Sequence, residues 1–152
     1  MNTLGRNQRE LSSQSELSQA SLPPQPDSPL VSQMIVETIS AKHAWIAQLE
    51  MMMQRDERDE VRETLRLIRL DELKHVRLLT QLPLAVADRQ DNGDRPDAVI
   101  SYTRAAKLKL KGSEFVRRIY YTFSDTATRD ILFEIICDDI SNAVRFSLLT
   151  SE

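Results

Sequence analysis

The chain has 152 residues, 41% of them hydrophobic, 28% charged and 5% aromatic, with three glycines and a formal net charge of −3. That size fits one domain with a real core and the balance is that of a soluble globular protein; scarce glycine argues against a turn-rich β fold, and the acidic balance gives no basic excess for gripping nucleic acid. The lone Cys137 cannot form an internal disulfide, and no segment has the apolar run of a secretory signal or a membrane span, so a cytoplasmic protein is expected.

Residues 1–29 are rich in Gln, Ser and Asn and close with LPPQPDSP, too polar to repay ordering, so they read as a disordered tail that could tether the bundle at 30–152 to a partner. Ser28 and Pro29 then signal a helix start, and apolar spacing predicts a first helix over 30–54. Its inward stripe is Ile35, Ile39, Lys42, Ile46, Leu49 and Met53, widened by Met34, Trp45 and Met52. The charged run at 55–60 leads to a second helix over 58–82, stopped by Pro83. Its seam of Val61, Leu65, Ile68, Glu72, His75, Leu79 and Leu82 places two polar residues where two core residues belong.

Residues 83–95 form a polar connection long enough to cross a bundle end, and Pro96 suggests the start of a third helix over 97–123, with Gly112-Ser113 as a kink. Its stripe is Tyr102, Ala106, Lys109, Ser113, Val116 and Tyr120. A fourth helix over 128–150 presents Leu132, Ile135, Asp139, Asn142, Phe146 and Leu149. A constant shift of 67 residues relates the halves, taking Pro29 to Pro96, Lys42 to Lys109, Glu72 to Asp139 and His75 to Asn142. The pattern therefore predicts an all-α four-helix bundle made of two duplicated helical hairpins joined by a long central crossover.

Glu72 and His75 make a Glu-x-x-His step, which puts a carboxylate and an imidazole on one helix face a turn apart, as in bundle cores that chelate iron or manganese. With its surroundings, from Ile68 through Asp71 to Leu79, the step resembles the second helix of ferritin-like proteins of the rubrerythrin type. The likeness spans 30–152 and implies a ferritin-like bundle holding two metals between paired motifs. This chain departs from that pattern. The second motif reads Asp139-Ile-Ser-Asn142, and an amide is a poor transition-metal ligand.

The resemblance also implies a first-helix glutamate about thirty residues before each second-helix carboxylate, where this chain has Lys42 and Lys109. Glu37, His43 and Glu114 stay open as alternative ligands, Glu114 because the segment to Tyr121 resembles the family's Glu-plus-seven-Tyr pattern. Glu72, His75, Glu114 and Asp139 are thus the candidate metal ligands. Glu72 and His75 read equally as a hydrogen-bonded polar layer. Lys42 and Lys109 could snorkel to water or pair with the buried Glu72 and Asp139, leaving no cofactor or a weakly held one. Met51 to Met53 read as adaptable core, Cys137 as a small buried hydrophobe and His43 as partly buried. Two functions follow: a degenerate, non-catalytic bundle acting as a homo-oligomer or through a protein partner, or an iron or manganese redox protein using Glu72, His75 and Glu114. Storage would need a closed shell, for which the sequence carries no sign.

Overall fold

The structure is a computed structural model describing residues 28–82 and 96–150. The remainder of the expected tail and the expected crossover at 83–95 lie outside the described residues. Among the described residues there are four helices and no strand: α1 (Pro29–Arg55), α2 (Asp59–Thr80), α3 (Tyr102–Tyr120) and α4 (Thr126–Leu148). α1 starts as the sequence predicts, with Pro29 in its first turn and the Ser28 hydroxyl accepting from the Val31 N–H.

α3 starts later than Pro96 suggests. Ser101 caps it, its hydroxyl accepting from the Arg104 N–H. The preceding residues are irregular, and the buried Gln48 amide on α1 can hold them, its oxygen accepting from the Ile100 N–H at 3.0 Å and its nitrogen donating to the Ala98 carbonyl at 3.3 Å. Tertiary anchoring outweighs the proline signal there. No break occurs at Gly112-Ser113, and the Ser113 hydroxyl donates to the Leu110 carbonyl within the helix.

α1 packs along α2 and α3 along α4, with lesser contacts between α2 and α4 and between α1 and α3; the pairs α1 with α4 and α2 with α3 stand on the diagonals. All seven seam residues expected on α2 are buried. On α1 the buried line is instead Val31, Ile35, Thr38, Lys42, Leu49 and Met52, leaving Ile39, Ile46 and Met53 at its edges. Thr38 can lie inside because its hydroxyl donates to the Met34 carbonyl, so its own polar group is buried with a partner.

The apolar core falls into two clusters. One gathers Ile35, Leu79, Val116, Ile119 and Ile135, and the other Leu49, Leu65, Ile68, Ala105 and Phe146. Each large apolar side chain fully buried contributes roughly 1.5–3 kcal/mol, so the two clusters hold the bundle closed at both ends. Between them in sequence, on every helix, lie Lys42, Glu72, Lys109 and Asp139.

Candidate functional site

Each helix contributes one charged residue to this central layer: Lys42 from α1, Glu72 from α2, Lys109 from α3 and Asp139 from α4, none more than 4% exposed. The Lys42 Nζ donates to both Asp139 oxygens at 2.7 Å and lies 3.3 Å from Glu72 Oε2. The Lys109 Nζ donates to Glu72 Oε1 and to Asp139 Oδ1, the latter at 3.3 Å, and sits over the Trp45 ring, 4.6 Å from its centroid. Each ammonium thus makes its closest bond across a bundle diagonal and a 3.3 Å ion pair within its own hairpin. The two halves mirror each other under the 67-residue shift.

Burial of four charges is tolerable because they sum to zero and each ammonium meets two carboxylates; a lone charge in the same place would cost several kcal/mol, on the order of 3–5. Burial by itself would push the Asp139 carboxyl up, but the Lys109 and Lys42 ammoniums outweigh it and hold Asp139 below the usual carboxylate range. Lys109 goes the other way, pulled down by burial and by the nearby Lys42 charge against the attraction of Glu72 and Asp139. Snorkelling is therefore not how these lysines are accommodated.

His75 and Asn142, both fully buried, take their hydrogen bonds from outside the quartet, each with a different partner. His75 Nε2 meets Asp138 Oδ2 at 3.0 Å, and Asp138 also accepts from Lys74. Asn142 Oδ1 accepts from Arg145 at 2.8 Å, and the same guanidinium donates to Asp71 at 3.0 Å. Burial, then the Lys42 charge, lowers the His75 pKa, which favours a neutral ring with its proton on Nε2 facing Asp138. His75 Nδ1, Asn142 Nδ2 and Glu72 Oε2 lack a hydrogen bond among the described residues; Glu72 Oε2 still has Lys42 within ion-pair distance but poorly aligned.

Glu72, His75 and Asp139 can bring one ligand atom each within 4.8 Å of one another. Those carboxylates, however, already bond to both ammoniums, which stand where a cation would be repelled. The donor set does not fit a pair of metals, and could serve one only if both lysines withdrew.

Glu114 does not join the cluster. It follows the inward Ser113 by one residue, a turn of about 100° that carries it to the exposed face, where it pairs with Arg117. Glu37 is exposed and accepts from Gln33, and His43 is half-buried outside the cluster. Cys137 is exposed rather than buried, because Ile135, Ile136 and Asp139 take the inner positions around it. Sequence reasoning missed the outer partners Asp138, Asp71 and Arg145, although the 67-residue shift maps Asp71 onto Asp138 and so signals the pair. No family model matches this chain, and neither a curated protein nor a solved structure gives a significant match. No described helix is long and apolar enough to cross a membrane.

Proposed function

We propose that this protein is a ferritin-like bundle in which a buried ion-pair quartet stands in place of a di-metal centre, and that it works by association rather than redox catalysis. The observation that carries the reading is the direct bonding of Lys42 and Lys109 to both carboxylates that the metals of a ferritin-like site would need. Association is supported by the outer face of α4. Phe133, Ile140, Val144 and Leu148 are 58%, 44%, 55% and 65% exposed, and with the exposed Cys137 they form one continuous helical stripe. The partner we favour is a second copy of the chain, since an apolar helical stripe of this spacing can pair with itself.

Sedimentation of the full chain tests association: the wild type should self-associate, and Ile140→Glu with Val144→Glu should leave a monomer with an unchanged melting temperature. A wild type that stays monomeric at its highest soluble concentration would remove the homo-oligomer. The competing reading, an iron or manganese redox protein, is favoured by the proximity of Glu72, His75 and Asp139. It requires Fe²⁺ oxidation faster than in buffer alone, with loss of that activity in Glu72→Ala; our reading expects no acceleration.

A further inference from the structure

A cavity of about 260 Å³ opens between α1 and α3, beside the quartet, and no residue of the exposed α4 stripe lines it. Trp45, Phe115 and Val116 form apolar walls, and Lys42, Lys109 and Asp139 form its floor. An apolar cavity of roughly 150 Å³ already admits benzene, so this one has room for a single ring with a short substituent. The geometry points to a binding site for a small uncharged amphipathic molecule, an aromatic or short-chain alcohol whose hydroxyl reaches the quartet.

The floor selects the head group. On the floor Lys42 and Lys109 balance Asp139 and Glu72, and Glu37, the one other charged residue of the lining, stands at the exposed rim and accepts from Gln33, so a carboxylate or an ammonium that reaches the floor would bring an uncompensated charge into a buried place. A hydroxyl brings none. It can donate to a remaining lone pair of Asp139 Oδ2 and accept from the Lys42 ammonium, whose hydrogen bonds among the described residues both go to Asp139.

Gly112 opens the way to that floor. A Cβ at this position would lie 3.7 Å from Asp139 Oδ2, in ordinary contact, so alanine fits the fold while placing a methyl between the cavity and the carboxylate. Glycine weakens a helix interior relative to alanine, and Gly112 lies in the middle of α3. The gap beside Asp139 is what the chain gains from it.

The site does not depend on the α4 association, and its test is separate. Trp45 is the chain's single tryptophan and lines the cavity, so its fluorescence reports occupancy. The full-length protein is titrated with benzyl alcohol, benzoate and benzylammonium. Benzyl alcohol should give a saturable change, with both ions at least roughly tenfold weaker, about 1.4 kcal/mol. Gly112→Ala should weaken benzyl alcohol by a similar factor while melting no lower than the wild type, and Ala41→Phe, at the exposed edge of the cavity, should do the same from outside. No saturable change with benzyl alcohol, equal or tighter binding of either ion, or undiminished binding in both variants would overturn the proposal.

Discussion

The two hairpins carry the same plan with different chemistry at one position. In the first, Glu72 is followed a turn later by His75, held from across the α2 and α4 contact by Asp138; in the second, Asp139 is followed by Asn142, held by Arg145 and through it by Asp71. The inner quartet is nearly symmetric, with an intra-hairpin ion pair of 3.3 Å in each half, whereas the outer partners are not. The contrast separates two demands. Charge balance at the centre binds both halves equally, while the groups just outside it are free to differ so long as each finds a hydrogen-bonding partner.

The largest expected effect comes from breaking the symmetric part. Glu72→Ala leaves two buried ammoniums to share the single carboxylate of Asp139, with Lys109 keeping only its 3.3 Å bond to it, and should cost about 3–5 kcal/mol in denaturant unfolding. Replacing all four members together, Lys42→Met and Lys109→Met with Glu72→Leu and Asp139→Leu, should be neutral or stabilising by about 1–4 kcal/mol, because no charge is then buried. A quadruple variant as unstable as Glu72→Ala would show that the quartet does more than cancel its own burial.

The asymmetric part should respond less, and unequally. Asp138→Asn removes a charged acceptor from a fully buried imidazole and should cost about 1.5–3 kcal/mol. Asp71→Asn weakens a pair whose arginine is 41% exposed and should cost about 0.2–1 kcal/mol. Equal losses would erase the distinction between the halves.

The smallest effect is the titration of His75. Its folded pKa lies below the ordinary 6.5, so the unfolded chain takes up a proton first as pH falls. This contribution to stability is complete above about 6.5 and is lost as pH drops from there through the folded value; His75→Gln should flatten that limb of the stability profile, and Asn142→Gln should leave it unchanged.

Much of this was legible in the sequence because the repeat carries polar interruptions as well as apolar ones. On α2 the seam is strictly alternating, so every expected residue is buried. On α1 the apolar residues are spread over a wider arc, and the true inward line passes through Thr38, whose burial depends on a backbone hydrogen bond that no hydropathy pattern displays. The third helix starts later than its sequence signal because Pro96 acts only locally, while the Gln48 amide that can hold the segment before Ser101 comes from a helix distant in sequence. At the site, helical register set Lys42, Lys109, Glu72 and Asp139 at inward positions, but which lysine meets which carboxylate depends on the diagonal arrangement of helices. Cys137 departs from its expected burial for a related reason: the two residues before it, Ile135 and Ile136, are core residues, and only the helix face decides that the next position points out.

Thermal melting of the metal-free full chain with and without excess Mn²⁺ or Fe²⁺, alongside Glu72→Ala, tests most directly whether the quartet replaces metal. A site filled at a hundred times its dissociation constant would gain about 2.7 kcal/mol and melt several degrees higher, so the shift is easily read. The lysine-filled centre predicts superimposable melts for the wild type under all three conditions. A metal-dependent rise that Glu72→Ala abolishes would contradict it.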